Sequence, residues 1–427
     1  MNNKRVRLAD IAELTVGYVG NMAKQYTDKG VKFLRSLNIK PFHIVEDDMK
    51  YISKEFCESL RKSTLHENDL IIVRTGLPGT CCVIPKEYDG CNCADVVLVK
   101  PNVDIVNPHY LAAYINMWGK KQVENNKVGA IQKHFNVESA EEMLIDLPDI
   151  EDQNKIAKVL CDINEKILNN EKINDYLEEM AKTIYDYWFV QFDFPDENGK
   201  PYKSSGGEMM YSPKLDMEIP TSWAITTLKG HHNIERGISY TSKDISSGKG
   251  ISMINLACID INRNYRDGQL KYYANDVSAD KKLTGNELLI ACTDLTRNAD
   301  IVGSPILVPK IAQQMTFSMD MAKLEVDNCM FDKYYLYMTL RTEYYHNFIK
   351  KYASGTNVLH LNLDGLNWYT MWVPPLPLQS QFGHIIHKLQ VHMNDILHEN
   401  RQLHNLRDWL LPMLMNGQAT IEGRFAK

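Results

Sequence analysis

The sequence contains no hydrophobic run long enough to cross a membrane. Its 427 residues are 44% hydrophobic and 24% charged, the balance of an ordinary globular protein, and no apolar stretch reaches the ~18 residues of a transmembrane helix. The first residues, MNNKRVRLADIAEL, lack the apolar core of a secretory signal. Nine cysteines in a chain of this length form no spaced disulfide framework. We therefore expect a cytoplasmic protein of two or three domains.

Motifs for metal, nucleotide and methyl-transfer chemistry are also missing. Zinc sites usually pair cysteines as C-x2-4-C, whereas this chain pairs Cys81 with Cys82 and Cys91 with Cys93. We expect these to be small buried residues in or beside strands, and no metal. No G-x-x-x-x-G-K-[ST] loop occurs, which argues against a motor. The stretch NPHY (107–110) resembles the loop with which amino-methyltransferases hold adenine, but no glycine-rich turn follows an early strand to bind S-adenosylmethionine. We expect a chain that performs no chemistry and binds no cofactor.

Charge is spread unevenly along the chain. The net charge is −6, which does not suit a protein covered with phosphate contacts. Residues 148–190 hold 5 Lys and Arg against 10 Asp and Glu, whereas residues 1–147 hold 19 against 19. The acidic excess therefore lies in one segment, which leaves room for local basic patches elsewhere.

The chain repeats itself at an offset of 226 residues. GAIQKHFNVESAEEMLIDLPDIEDQNKI (129–156) and GTNVLHLNLDGLNWYTMWVPPLPLQSQF (355–382) share a glycine, a polar loop, an apolar strand, a proline and the start of a helix. Upstream, LHENDLIIVRTG (65–76) matches LTGNELLIACTD (283–294) in its apolar pattern. The helical segments that follow Pro148 and Pro374 keep the same apolar phase. Such self-similarity indicates two copies of one unit.

Each copy mixes short strands with short helices and ends in a long helix, so we expect an α+β fold. Apolar heptad seams run along both long helices, which extend for roughly 50–60 Å at 1.5 Å per residue. An antiparallel coiled coil would cover both seams and bring Asn174 close to Asn400, fixing the register. The alternative is that each helix packs on its own domain. The predicted segments are a first domain at 1–148, a long helix at 149–190, a hairpin connector at 191–220, a second domain at 221–373, a second long helix at 374–415 and a tail at 416–427.

At this point the sequence resembles the specificity subunits of type I restriction-modification systems. The resemblance is carried by paired P-x-[IL]-x-x-Q-x-x-[IF] motifs, PDIEDQNKI (148–156) and PPLPLQSQF (374–382), and by the connector FDFPDENGKPYKSSGGEM (192–209) with IPTSW (219–223). It implies two target-recognition domains that each bind half of an asymmetric bipartite DNA site, with the helices setting the distance. It also implies assembly with two adenine-N6 methyltransferase subunits, which use S-adenosylmethionine, and with two motor-nuclease subunits.

Candidate DNA-contacting residues are polar or basic side chains at predicted strand ends and in loops. Lys and Arg bind phosphates, whereas Arg, Gln, Asn, Ser and Thr also read base edges. In the first copy the candidates are Lys24, Gln25, Tyr26, Arg35, Arg74, Thr75, Gln132, Lys133 and His134. In the second copy they are Ser239, Tyr240, Thr241, Asn255, Thr293, Arg297, Thr356, Asn357 and His360. His134 and His360 occupy matching positions, so a structural role or a phosphate contact explains them as well as base reading does.

Two rival interpretations remain open at the level of sequence. One is a coiled-coil scaffold whose two domains bind protein or sugar, which the near-neutral domains allow. The other is a specificity subunit of a modification system that lacks a nuclease. Salt-dependent, sequence-specific DNA binding distinguishes the first from a DNA reader, and neither the DNA target nor its spacer length follows from the sequence.

Overall fold

A computed structural model describes residues 4–119, 135–312, 314–419 and 421. Backbone contacts divide the chain into two units, Met1–Asn169 with Arg401–Lys427, and Asn170–Asn400. Each unit contains one globular domain and a part of both long helices.

The first unit is built on two sheets of four strands each. Its strands are β1 (Lys4–Arg7), β2 (Ala12–Val16), β3 (Tyr26–Thr27), β4 (Val31–Leu34), β5 (Ile39–Lys40), β6 (His43–Ile44), β7 (Lys50–Ile52), β8 (Leu70–Val73), β9 (Cys81–Val83), β10 (Asn92–Cys93), β11 (Val96–Pro101) and β12 (Leu144–Leu147). Its helices are α1 (Lys54–Ser59), α2 (Pro108–Tyr114), α3 (Val137–Glu141) and the start of α4 (Ile150–Tyr185), the first long helix. One sheet is antiparallel with the order β2-β11-β8-β9, and the other has the order β10-β4-β7-β3 with β10 parallel to β4.

The central strands β8 and β11 are buried on both faces, which explains their unbroken apolar sequences. Leu70 and Ile72 face a core that includes Tyr110 and Leu111 of α2. Ile71 of the same strand faces the opposite core, with Leu34 and Cys93. Alternate residues of a strand point to opposite faces, so a strand sandwiched between a helix layer and a second sheet must be apolar at every position.

The second unit repeats this topology. Its strands are β13 (Met209–Ser212), β14 (Met217–Pro220), β15 (Ala224–Thr227), β16 (His232–Arg236), β17 (Ile245–Ser246), β18 (Ile251–Ile254), β19 (Lys271–Tyr273), β20 (Leu288–Ala291), β21 (Thr293–Asp294), β22 (Pro305–Leu307), β23 (Met315–Phe317), β24 (Met321–Val326), β25 (Ala353–Ser354), β26 (Leu359–Leu361) and β27 (Thr370–Val373). Its helices are α5 (Lys333–Leu340), α6 (Glu343–Ile349) and most of α7 (Leu376–Met415), the second long helix. The antiparallel sheet β16-β24-β20-β22 and the mixed sheet β17-β19-β18-β23, with β18 parallel to β23, reproduce the strand orders of the first unit. β13 and β14 form the hairpin within the connector.

The residues that the two copies share hold the same structural positions. Gln153, at the start of the first long helix, accepts a hydrogen bond from the backbone N–H of Asn107 at 2.9 Å and donates to the carbonyl of Pro148 at 2.8 Å. Gln379 accepts from the N–H of Asp332 at 2.9 Å and donates to the carbonyl of Pro374 at 2.8 Å. Both glutamines are fully buried. The Pro-to-Gln spacing of the repeated motif therefore serves to join a strand end, a long helix and the start of a short helix.

Two further pairs of equivalent residues support the duplication. Tyr110 donates to the carbonyl of Asp146, and Tyr335 donates to the carbonyl of Trp372, each at 2.6 Å. Tyr110 belongs to the NPHY stretch, so this tyrosine ties α2 to β12. Gly30 and Gly250 have φ of +151° and +123°, and a Cβ at either would lie 2.2 or 2.3 Å from a carbonyl oxygen of the neighbouring strand. Only glycine fits such a position without strain.

Within each unit the two long helices run antiparallel, as predicted. In the first unit Arg407 donates to Asn164 at 3.1 Å, and Leu411 and Leu414 share a core with Ile156 and Leu160 of the first long helix. In the second unit the core combines Tyr185 of the first long helix and Trp188 of the π-helical turn that continues it with Phe382 of the second. Their rings lie 6.0 and 5.8 Å from that of Phe382. The predicted fold class, two α/β domains each followed by a long helix, is confirmed.

The predicted register contact between Asn174 and Asn400 needs correction. The side-chain amide of Asn400 accepts a hydrogen bond of 2.8 Å from Asn170, which also donates to Glu399 at 2.7 Å. Antiparallel pairing places residue 170 opposite residue 400, and residue 174 lies one turn beyond. Asn174 has a buried side-chain oxygen for which the described residues supply no hydrogen-bond partner.

The predicted burial of the paired cysteines in or beside strands is confirmed. Cys81 and Cys82 lie in β9 and Cys93 in β10, all fully buried, and Cys91 precedes β10. Burial raises the pKa of Cys93 to about 12 and that of Cys91 to about 11, as expected for thiols removed from water. Among the described residues no helix is long and apolar enough to span a bilayer, and no group of three His, Cys, Asp or Glu side chains is placed to hold a metal ion.

Candidate nucleic-acid interface

In the first unit, Arg35 and Tyr26 lie together at the end of the mixed sheet. The Arg35 guanidinium is 2.9 Å from a carboxylate oxygen of Asp48 and lies 6.0 Å from the Tyr26 ring centre. Lys50 binds the other carboxylate oxygen of Asp48 at 2.6 Å. Lys50 and then Arg35 hold the pKa of Asp48 below its usual value. The acid partly neutralises the two cations, so this cluster offers oriented hydrogen-bond donors rather than a strong positive field.

Thr75 and Arg74 follow β8, and the structure gives them different roles. Thr75 donates its hydroxyl proton to Asp95, an exposed residue whose backbone φ is +58°. Ser36, next to Arg35, donates to the Asp95 carbonyl at 2.8 Å. Two segments that are distant in sequence therefore converge on Asp95. Arg74 instead donates from Nε to the carbonyl of Phe135 at 3.1 Å, so part of its guanidinium is committed to structure.

The remaining first-copy candidates are on the surface or outside the described residues. Lys24 and Gln25 are exposed in the turn before β3. Gln132, Lys133 and His134 lie outside the part of the chain that the structure describes, and they stay predictions.

In the second unit, Tyr240 belongs to a polar group at the end of the second mixed sheet. Lys271, the first residue of β19, donates to the Tyr240 hydroxyl at 2.6 Å and lies 4.9 Å from its ring centre. Thr241 donates from its backbone N–H and its hydroxyl to Asp244, both at 2.8 Å, and Ser239 is exposed. The N–H and hydroxyl of Thr241 lower the pKa of Asp244. The side chain of Lys271 is thus positioned beside an aromatic ring, an arrangement suited to a phosphate or a base.

A second polar group in this unit lies around the three-stranded sheet β21-β26-β25. Thr293 pairs across strands with His360. Thr356 and Asn357 form the turn between β25 and β26, and Arg297 lies in the loop after β21; all three are exposed. Strand β21, which precedes Arg297, thus pairs with β26, which contains His360 and follows the turn of Thr356 and Asn357.

Asn255 is the clearest correction among the candidates. It is 3% exposed, accepts from the N–H of Ala257 at 3.0 Å and donates to the carbonyl of Gln269 at 2.8 Å. An Asn at a strand end often caps the turn that follows. Because the Asn255 amide already binds the backbone, its hydrogen-bonding groups do not reach DNA. Thr293 is also buried and donates to Asp320 at 3.1 Å. Asp320 holds the position that Asp95 has in the first unit, so this Thr–Asp pair is a repeated structural link.

Sequence reasoning missed Lys271, Lys50 and Asp95. Lys271 and Asp95 act through partners that are distant in sequence: Lys271 is 31 residues from Tyr240, and Thr75 is 20 residues from Asp95. Lys50 binds Asp48, two residues before it. Nothing in the local pattern around Lys271-Tyr272-Tyr273 distinguishes it from an ordinary strand. For the Thr–Asp pair a signal existed, because the apolar strand that the two copies share is followed by a threonine at both Thr75 and Thr293.

Comparison with known proteins agrees with this architecture. Residues 2–179 match the family model of the type I restriction modification DNA specificity domain. Over 293 residues the chain is 24% identical to the MjaIX specificity subunit of Methanocaldococcus jannaschii, covering 66% of this chain and 62% of that protein. The predicted resemblance to type I specificity subunits is confirmed. The HindI specificity subunit of Haemophilus influenzae is 22% identical over 383 residues, which cover 75% of this chain and 80% of that one.

The fold is also that of a solved type I specificity subunit. The crystal structure of the S subunit from M. genitalium superposes with a TM-score of 0.55 at 13% identity, covering 97% of this chain and 96% of that chain. At this identity the likeness concerns the fold alone. The specificity-domain match covers the first domain and most of the first long helix, and the repeated topology extends the same architecture to the second.

Proposed function

We propose that this chain is the DNA-recognition subunit of a type I restriction-modification complex. Each domain reads one half of an asymmetric bipartite site, and the long helices set the distance between the halves. The chain itself performs no chemistry; two adenine-N6 methyltransferase subunits and two motor-nuclease subunits assemble on it and act where it binds. The observation that carries the proposal is the duplicated α/β unit, in which a type I specificity domain occurs once as a family match and again as a repeated topology.

The differences between the copies support an asymmetric target. The first unit presents Arg35, Tyr26 and Lys50 around Asp48, whereas the second presents Lys271 beside Tyr240 at the corresponding sheet. Hydrogen-bonding groups that differ in kind and position select different base edges. Two domains with the same framework and different loops are therefore suited to two different half-sites.

The first test is to co-express the chain with a type I adenine-N6 methyltransferase subunit and to map N6-methyladenine across the host genome by single-molecule sequencing. We expect methylation confined to one motif with two short specific halves and a fixed non-specific gap. An active, associated partner that yields no such motif would refute the proposal. A coiled-coil scaffold for protein or sugar ligands would then be the better interpretation.

Exchange of the first domain tests whether the halves are read independently. Replacing residues 1–148 with the matching domain of a related subunit should change one half-site and leave the other half-site and the gap unchanged. A change in both halves would contradict independent recognition. Exchange of residues 221–373 is the matched control, because it should alter the other half only.

A further inference from the structure

Two acidic residues of the first long helix face two arginines of the second domain. Asp175 and Glu178 are three residues apart and so share one face of the helix. Asp175 lies 3.5 Å from a guanidinium nitrogen of Arg266, and Glu178 lies 3.6 Å from a guanidinium nitrogen of Arg341. Both arginines belong to the second domain: Arg266 precedes β19, and Arg341 follows α5. Two opposite-charge pairs therefore connect the helix to this domain.

Both arginines are held in place by groups of their own domain. Arg266 donates from Nε to Asp260 at 2.6 Å. Arg341 donates to the Tyr337 hydroxyl at 2.7 Å and to the side chain of Asn264. Arg266 faces Asp175 with Nη1, which is not the nitrogen that binds Asp260, and Arg341 faces Glu178 with the Nη2 that also binds Asn264. Both guanidinium groups are thereby held in position by their own domain. Such a preorganised cation can recognise a carboxylate at little cost in side-chain entropy.

The Glu178–Arg341 pair is largely removed from water. The two side chains are 22% and 19% exposed. Burial raises the pKa of Glu178, and Arg341 opposes that rise. A buried pair of this kind adds little stability compared with apolar packing, but it strongly disfavours any arrangement that leaves one charge alone. The Glu178–Arg341 pair therefore contributes less to stability than to selecting where, and in which orientation, the second domain docks on the helix.

The corresponding contact in the first unit has different chemistry. At the offset of 226, the counterparts of Asp175 and Glu178 are Arg401 and His404. Further along the same helix Arg407 places its guanidinium 5.1 Å from the ring centre of Phe42 in the first domain. A duplicated chain has a competing arrangement in which this face of the second domain docks on the equivalent segment of the second helix. There Arg401 would meet Arg266 and His404 would meet Arg341, with no carboxylate at either position.

We propose that Asp175 and Glu178 form an address on the first long helix that Arg266 and Arg341 of the second domain recognise. This address selects the helix segment on which this face of the domain docks, and it fixes the orientation in which the domain presents its loops. The second effect rests on the proposed function, since a reoriented domain would meet its half-site at a different distance or angle. Asp175, Glu178, Arg266 and Arg341 are thus positioning residues that need not touch DNA.

Charge exchange in the full chain tests the address. Hydrogen exchange, read by mass spectrometry, follows the amides of α5, which Arg341 directly follows. We expect Glu178→Arg to raise their exchange rate at least about tenfold, Arg341→Glu to do the same, and the double variant Glu178→Arg/Arg341→Glu to return to within about threefold of the unmodified chain. Glu179→Arg is the matched control, because Glu179 is exposed and carries the same charge change one residue away; its exchange should not differ.

The outcomes separate the address from simple packing. If the double variant exchanges as fast as either single variant, or if Glu179→Arg has the same effect as Glu178→Arg, the address is refuted. Should the charge reversals prevent folding, Glu178→Gln replaces them, since it keeps the shape and removes the charge. Exchange in Glu178→Gln equal to that of the unmodified chain would overturn the proposal.

Methylation mapping with the same variants tests the consequence for DNA. We expect Glu178→Arg to reduce methylation at the original gap length at least about tenfold, or to spread it over neighbouring gap lengths, and the double variant to restore the original motif. An unchanged motif in Glu178→Arg would refute the orienting role while leaving the DNA-reading function intact. If the unmodified chain yields no bipartite motif, the proposed function fails, and hydrogen exchange still decides whether the address exists.

Discussion

Replacement of Gln379 by leucine is the sharpest test of how the repeated motif works. The fully buried Gln379 side chain satisfies three backbone groups: the N–H of Asp332 at 2.9 Å and the carbonyls of Pro374 and Met330 at 2.8 and 3.2 Å. Leucine has a similar size and no hydrogen-bonding group. Each orphaned group costs on the order of 1–1.5 kcal/mol, and about 1 kcal/mol is recovered because leucine is more apolar. We expect a net loss of about 3 kcal/mol in the local free energy of opening.

Hydrogen exchange of the full chain measures this loss where it occurs. A loss of about 3 kcal/mol corresponds to exchange roughly 150-fold faster at the start of the second long helix and in α5. Gln381→Leu is the matched control, since Gln381 is exposed two residues away and should change exchange little. If the two variants behave alike, Gln379 does not join these elements and the structural reading of the motif is wrong.

Glutamate at the same position gives a pH-dependent version of this test. The carboxylate of Gln379→Glu would face two carbonyl oxygens and could donate to neither, so its pKa should rise above the usual value. Protonation restores a donor, and the variant should therefore be closest to the unmodified chain at low pH and lose stability as the pH rises. A pH-independent difference would contradict the hydrogen-bonding role.

Three further outcomes are expected. Arg297→Ala should weaken DNA binding and lower the slope of log K against log salt by about 1, because one phosphate contact is lost. Arg74→Ala should leave that slope unchanged, since the Nε of Arg74 already binds the Phe135 carbonyl. An equal fall in both variants would show that an arginine with a structural hydrogen bond also binds DNA. Deleting seven residues from each long helix should shorten the gap between half-sites by about three base pairs, given 1.5 Å per residue and roughly 3.4 Å per base pair, and an unchanged gap would show that the helices do not set it. Ellman's reagent should modify the exposed Cys329 at once and the fully buried Cys81, Cys82 and Cys93 only on unfolding; early reaction of those three would contradict their burial.

The architecture was predictable because it depends on periodic patterns of apolar residues in the sequence. The repeated apolar pattern specifies two helices and two cores, because residues that are buried in a helix or strand recur with the period of that element. The contact between Asn170 and Asn400 was not predictable in the same way. Both Asn170 and Asn174 lie on the seam, and choosing between them requires the stagger of two helices, which depends on packing at their ends rather than on the seam itself.

The candidate interface was predictable only in outline. Strand ends indicate where loops lie, which placed Arg297, Thr356 and Asn357 on the surface of the second unit. Whether a polar loop residue is free or committed depends on a partner elsewhere in the fold. Asn255 caps a turn, and Arg74 binds a carbonyl 61 residues away; the sequence around each looks the same as it would for a DNA contact.

Comparing the two copies offers a physical way to separate structure from recognition. Residues that the copies share, such as Gln153 with Gln379 and Tyr110 with Tyr335, satisfy the same backbone groups in both units. A shared residue cannot distinguish two different half-sites, so base reading must fall on positions where the copies differ. The Lys271–Tyr240 pair differs from its counterpart, because Lys50, which begins the equivalent strand of the first unit, binds Asp48 instead, whereas the threonine–aspartate pair is the same in both units. On this reasoning Lys271 and Tyr240 belong to recognition and Thr293 belongs to the framework, so substitution of Lys271 should change the DNA target while substitution of Thr293 should change stability.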